Sequence, residues 1–307
     1  MSESIGLGIA GFPFETSADF FKWVELCEAG DVDSIWTSDR LVSEAMNLEP
    51  LALMAVLAGA TDRLQFGMNV VVLPFRDPLI LAKQCATIDF LSDGRLIPAF
   101  GVGSVAIPEW SATGRSPQGR GKQVDEMLEI MSLLWQGERV TYDGSYYQYS
   151  NAQIAPVPVR QPLPLWIGGS SKAAIRRTVG LGNGWLAGIQ SPAQIKPVVA
   201  AIKAEGLRIN RPIDDDHYGA GIGFRFGSWD EPVVQDQVAR LDRFPELDSA
   251  KSYLAVGNAE EILETLATYR EAGISKFVLR PIGTSSADIM NQTEKLINEV
   301  IPAVHQK

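Results

Sequence analysis

The segment Arg63-Leu-Gln-Phe-Gly-Met-Asn-Val-Val-Val-Leu-Pro-Phe-Arg-Asp-Pro78 and its continuation Ile88-Asp-Phe-Leu-Ser-Asp-Gly-Arg-Leu-Ile-Pro-Ala-Phe-Gly-Val-Gly103 decide the fold class. Residues 64–73 are apolar almost throughout, the pattern of a strand covered on both faces. Asp77-Pro78 opens a helix, because proline at the first helical position gives up an N–H that has no partner there anyway. Ser92-Asp93-Gly94 ends that helix, and residues 96–100 begin the next strand before a glycine-rich turn. Strand, helix and strand of this kind form a βαβ unit, which belongs to a parallel sheet.

The alternation runs along the whole chain. Strands are predicted at 5–10, 33–37, 165–168, 184–187, 218–226 and 276–280. Helices are predicted after Thr16, at 50–59, 118–136, 172–180, 193–205, after Asn258 and over 286–304. Helix starts carry capping residues and one apolar face each, such as Phe20, Trp23, Val24 and Cys27 in the first. Eight βα units in 307 residues predict one (β/α)8 TIM barrel spanning 1–307. Two segments break the rhythm, about 140–164 with a hairpin-like run at Asp143-Gly144, and about 227–254. Insertions of this kind sit on a barrel rim.

The balance of 27 basic and 37 acidic residues gives a net charge of −10. Nucleic-acid binding needs a basic footprint and is excluded as an expectation. No apolar run is long enough for a membrane span, and the N-terminus lacks the pattern of a secretion signal, so a cytoplasmic protein is expected. The two cysteines, Cys27 and Cys85, read as buried thiols in helices. The two histidines, His217 and His305, fall in no metal or triad pattern, and no metal site is expected. A chain this poor in histidine points to a cofactor that carries the chemistry.

The run Asn69-Val-Val-Val-Leu-Pro-Phe-Arg-Asp-Pro78, the Ile88–Arg95 turn and the Gly101-Val-Gly103 mouth resemble the bacterial luciferase-like flavin oxidoreductases. That superfamily contains FMN-dependent monooxygenases and F420-dependent reductases and dehydrogenases. The resemblance implies a TIM barrel, a flavin held at the C-terminal ends of the strands, and association into homodimers or larger assemblies. The aromatic hairpin at Tyr142 to Tyr149 offers apolar surface for that association. In the monooxygenase version a separate flavin reductase supplies reduced FMN, which reacts with oxygen beside a small organic substrate; F420 is the alternative cofactor. A barrel that binds flavin without turnover is the third reading.

Site residues follow from strand ends and from the resemblance together. Gly168-Gly169-Ser170-Ser171 precedes a helix. Its glycines admit an anion close to backbone N–H groups, its serines offer hydroxyls, and the helix start adds partial positive charge. A plain capped turn is the alternative. Arg120 resembles the family's basic residue at a helix start that helps hold the cofactor phosphate. Asp39 matches the acid of an Asp-His pair in F420-dependent relatives, but Arg40 stands where the imidazole would be. An arginine stays protonated and cannot transfer the proton, which tips the choice to FMN. Arg40 is open to an anionic substrate or to pairing with Asp39.

Asn69-Val70 occupies the family's non-proline cis peptide beneath the flavin, with Val71, Val72 and Leu73 as an apolar wall. Gly103, Ser104, Gly184 and Trp185 fall at family cofactor positions. Pro108 replaces a family asparagine that touches the cofactor. Glu109 is a candidate catalytic acid or a structural tie, and Arg280 is a candidate substrate-binding residue or the partner of a local carboxylate.

Overall fold

A computed structural model describes residues 3–244 and 246–305, with backbone only at His305. Eight parallel strands close into a barrel. They are β1 (Ser4–Ile9), β2 (Ser34–Thr37), β3 (Gln65–Met68, resuming at Val71–Val72), β4 (Leu96–Ile97, resuming at Ala99–Gly101), β5 (Trp166–Gly168), β6 (Gly184–Leu186), β7 (Tyr218–Phe226) and β8 (Lys276–Pro281). Each pairs with the next, and β8 pairs back onto β1 through Ser4↔Lys276 to Leu7↔Leu279. The strand predicted over 64–73 is therefore interrupted. From Gly67 to Val71 β3 advances four residues while β4 advances three, from Ile97 to Phe100. The surplus residue is a bulge, and it contains the cis peptide Asn69–Val70.

The barrel interior is filled by a small cluster of Trp36, Ile97, Ala99, Trp166, Leu186 and Val278, capped by Val70. Trp36 and Trp166 meet with ring centroids 6.0 Å apart. Two indoles fit only because facing strand positions lack side chains. A Cβ on Gly67 would lie 2.6 Å from the Trp36 ring, and one on Gly184 would lie 2.4 Å from that of Trp166. Inward-facing volume is conserved by exchanging glycine for tryptophan. The larger apolar layer lies between strands and outer helices, and it includes Trp23, Cys27, Cys85 and Trp185.

The first insertion forms an antiparallel hairpin, Val140–Asp143 with Gln148–Ala152. The second carries a helix, Pro232–Leu241, and then a ninth strand, Leu254–Gly257, which pairs parallel to β7 outside the barrel path. Only the long insertion was foreseen at this place; its last residues continue as sheet. The hairpin tyrosines turn back onto their own chain. Tyr142 donates to Glu129, Tyr149 donates to Asp77, and the Tyr147 hydroxyl accepts from Gln123. Tyr146 stays exposed on the hairpin.

Substituting Gly184→Ala should cost about 1–3 kcal/mol, the usual range for overpacking a filled core, because the added methyl enters the Trp166 ring. Urea unfolding checks this, and an unchanged midpoint would show that the interior can yield.

Candidate active site

The C-terminal ends of the strands surround a cavity of ≈ 610 Å³. Its floor is Val70, and the bulge of β3 places that side chain there. A Cβ on Gly101 would lie 2.7 Å from Val70, and one on Gly168 would lie 3.0 Å from it. Backbone therefore flanks Val70 on two sides, leaving a flat apolar platform. Asn69, Val102, Gly103, Gly169, Leu186, Ile189, Tyr253 and the two arginines Arg40 and Arg280 complete the wall. Asn69 fixes its backbone by donating to Thr37 O at 2.7 Å, and its side-chain amide makes no hydrogen bond among the described residues.

Asp39 does not face this cavity as a free acid. It is buried and accepts three hydrogen bonds at 2.9 Å, from Val72 N, Arg76 Nη1 and Arg76 Nη2. Burial pushes its carboxyl above the ordinary value, against the pull of Arg76 and of the Val72 N–H. Arg76 also reaches Glu49 at 3.0 Å. The partner of Asp39 is thus Arg76, not Arg40. Asp39 and Arg76 both stood in the quoted motifs, but nothing in their spacing of 37 residues announced the pair.

Arg40 crosses instead to Glu109, Nη1 to Oε1 at 3.8 Å. Glu109 is buried in the short helix Glu109–Ala112, and its Oε2 has no hydrogen-bond partner among the described residues. Neither the structural tie nor the open acid of the sequence reading describes it fully: one oxygen faces the cavity-lining arginine, the other is unsatisfied.

The 168–171 loop turns at Gly169, whose φ of +104° favours glycine. Ser171 caps the helix Lys172–Gly180 by accepting from Ala174 N at 3.1 Å, and Ser170 donates to Gln190 Oε1 at 2.7 Å. The Ser170 hydroxyl proton is therefore already engaged. Arg120 directs Nε to Gly103 O and Nη1 to Pro117 O, leaving Nη2 free among the described residues. Its helix, Arg120–Trp135, is clasped to Lys172–Gly180 by Arg177, which bonds Asp125 Oδ1 at 2.5 Å and Gly121 O at 2.9 Å. The Ser104 carbonyl accepts from the Trp110 indole at 2.8 Å.

Several expectations need correction on geometry. Gly184 sits beneath Trp166 inside the barrel and Trp185 is fully buried outside it; neither lines the cavity. Trp185 acts on the loop from behind, donating its indole N–H to Gly169 O at 2.8 Å. Val71 and Leu73 are buried in the outer layer, so Val70 alone supplies the platform. Arg280 has no carboxylate partner among the described residues; its guanidinium stacks on Tyr253, 5.2 Å from the ring centroid. Tyr253 went unrecognised because it lies in the second insertion. His217 precedes β7, with Nδ1 2.6 Å from Asn183 O, at the face opposite the cavity. Burial pushes both thiols, Cys27 and Cys85, above their ordinary range, so neither is a nucleophile.

The chain belongs to the luciferase-like monooxygenase family, which it matches over residues 9–241. An F420-dependent glucose-6-phosphate dehydrogenase of Amycolatopsis mediterranei is 25% identical, with 89% of this chain and 91% of that protein covered. The oxygenase component of a flavin-dependent trigonelline monooxygenase from Acinetobacter baylyi is 24% identical, with 92% and 89% covered. The chain spans about half the length, 53%, of the uncharacterised Mycobacterium tuberculosis protein that it matches at 33% identity. Among solved structures, an F420-dependent secondary alcohol dehydrogenase bound to an F420-acetone adduct superposes with a TM-score of 0.84 at 21% identity, covering 99% of both chains. That likeness confirms the fold.

Replacing Asp39 by alanine leaves the guanidinium of Arg76, 11% exposed, with Glu49 alone. Breaking such a pair costs about 3–5 kcal/mol. A loss below about 1 kcal/mol in chemical denaturation would show that the bracket on β3 is dispensable.

Proposed function

We propose that the chain is an oxidoreductase that binds reduced FMN on the Val70 platform and oxygenates a small organic substrate. The observation that carries this is the platform itself: a bare apolar floor, flanked by glycine backbone, next to a helix N-terminus behind a left-handed glycine. A flat ring fits the first part and its phosphate the second. Gly168, Gly169, Ser170 and Ser171 would hold the phosphate with Arg120, and Asn69, Val70 and Gly103 would meet the ring. When bound, reduced FMN supplies the electrons that reduce oxygen. The protein's own work is to seat the cofactor, keep Asn69–Val70 in place through Asp39, and exclude water. Arg40 faces Glu109, and a guanidinium has donors and no acceptor with which to relay a proton.

One observation favours F420 as a second reading. Glu109, whose Oε1 faces the cavity-lining Arg40, has a buried Oε2 without a partner among the described residues, and the family resemblance implies an acid near the deazaflavin. Direct titration of the purified chain with FMN, with FMNH2 under nitrogen, and with F420 separates the two. FMNH2 should bind, and Gly169→Val should weaken it at least tenfold without unfolding the barrel. Anaerobic turnover with F420 and no binding of FMNH2 would overturn the FMN assignment; unchanged affinity in Gly169→Val would remove the phosphate loop.

The same reading includes a separate reductase as electron source, a cytoplasmic setting, and self-association. Among the described residues no helix is long and apolar enough to cross a membrane. Beside the hairpin, a larger apolar surface suited to a second copy is the pair of neighbouring helices Pro50–Ala60 and Pro78–Leu91, which expose Val56, Ile80, Phe90 and Leu91. Sedimentation at micromolar concentration should show a dimer or larger. A single 33.4 kDa species would refute association, and Ile80→Asp should produce that species if this face is used.

A further inference from the structure

Of the second insertion, one residue reaches the lining of the mouth cavity, Tyr253. It ends a short 3-10 turn, Lys251–Tyr253, directly ahead of the ninth strand. Its N–H donates to Ala250 O at 3.2 Å, and the carbonyl before it, Ser252 O, accepts from the Tyr269 hydroxyl at 2.9 Å. The side chain belongs to the cluster of Val234, Leu241, Leu254 and Ile282, and the Arg280 guanidinium lies over its ring. Tyr253 is only 2% exposed, yet its hydroxyl makes no hydrogen bond among the described residues. A phenol buried this far ordinarily finds a partner for its O–H.

The Asn69 side-chain amide, on the bulge of β3, is the second open group of this lining. The two converge on Gly221 of β7. A Cβ on that glycine would lie 3.2 Å from Asn69 Nδ2 and 3.5 Å from the Tyr253 hydroxyl oxygen. One point is thus within reach of both groups, and the residue beneath it has no side chain to fill the space. Elsewhere in the lining, Arg40 faces Glu109, and the Asn47 amide donates to Ser43 Oγ and Ala45 O. Val70, Val102, Leu186 and Ile189 supply apolar surface around the same cavity. Two uncharged donors that meet over one space match an uncharged oxygen with two lone pairs, which is what a carbonyl presents. Neither donor brings the charge that strengthens bonds to a carboxylate or phosphate.

We propose that Tyr253 and Asn69 form a two-donor site over Gly221 that takes the carbonyl oxygen of a small uncharged substrate. The role of that molecule as substrate rests on the oxidoreductase reading; its binding does not. Tyr253 is then the residue through which the second insertion sets specificity. The bulge that presents Val70 supplies the other donor, and the missing side chain of Gly221 leaves room for the oxygen between them.

The probe is acetophenone, titrated into the full chain without flavin and compared with α-methylstyrene, which has nearly the same shape and no carbonyl oxygen. Acetophenone should bind at least tenfold more tightly, and the infrared carbonyl stretch of the bound ketone should lie below its value in hexane. Tyr253→Phe removes one oxygen atom and keeps the ring. It should lower the preference about threefold to tenfold, the worth of one hydrogen bond, and move the stretch back up. Asn69→Ala should do the same. Gly221→Ala, whose methyl enters the space between the donors, should abolish the preference; should it fail to fold, the other two variants decide. A tyrosine with a merely structural role would leave the stretch where it was. Equal binding of the two probes, or a preference and a stretch unchanged in both Tyr253→Phe and Asn69→Ala, overturns the proposal. FMNH2 affinity should be the same in Tyr253→Phe as in the wild-type chain; a tenfold loss would put the hydroxyl on the cofactor and overturn the substrate assignment. Acetophenone preference without FMNH2 binding would sink the flavin reading and leave this one standing.

Discussion

The bracket of Asp39 on Val72 N and Arg76 is the constraint on which the site depends. A bulge adds a residue to β3 and throws Val70 into the barrel mouth, but a bulge in isolation is free to relax into its neighbours. Here the strand resumes at Val71, and a buried carboxylate just past the end of β2 accepts the N–H of the next residue. The same carboxylate is fixed by both terminal nitrogens of Arg76. Two planar groups in bidentate contact allow little rotation, so the position of Val72, and through it of Val70, is set by geometry and not by packing alone. Burial of a charge is tolerated where its oxygens are saturated with donors, and three bonds to two oxygens come close to that.

Glycine and bulk are distributed with the same economy of volume. Below the mouth, Gly67 and Gly184 yield their space to Trp36 and Trp166; at the mouth, Gly101 and Gly168 yield theirs to Val70. The interior thus changes from filled to hollow across one layer of side chains. A barrel whose strands all carried large residues would be solid to its rim; one with glycines alone would lack a platform. The transition from indole to valine to open space makes the cavity.

Much of this was legible in the residues. All eight barrel strands, their order and the parallel sheet follow from apolar runs and capping residues, because those signals are local. The loops that line the cavity are also local, since strand ends in this architecture meet at one face. What could not be read was pairing between distant charges. Asp39 and Arg76 lie in loops that follow different strands, and a sequence gives no vector for a guanidinium; Arg40, adjacent to Asp39, was the nearer guess and the wrong one. Gly184 and Trp185 misled for another reason. On a strand, alternate residues face opposite layers, so a motif at a strand end need not point into the cavity, and here Gly184 lies beneath Trp166 while Trp185 supports Gly169 from outside. Tyr253 was hidden by its place in an insertion, where no periodic pattern marks the inward side.

The two arginines of the mouth differ in a way that orders their roles. Arg40 already faces a carboxylate, Glu109, whose second oxygen has no partner. Its charge is therefore partly spent, and drawing it toward a ligand anion would leave a buried acid more exposed to its own desolvation penalty. Arg280 carries no such tie among the described residues, and its guanidinium lies over the Tyr253 ring, a contact that consumes none of its N–H donors. Of two cations lining one cavity, the one whose donors are unspent binds an incoming anion at the smaller reorganisation cost.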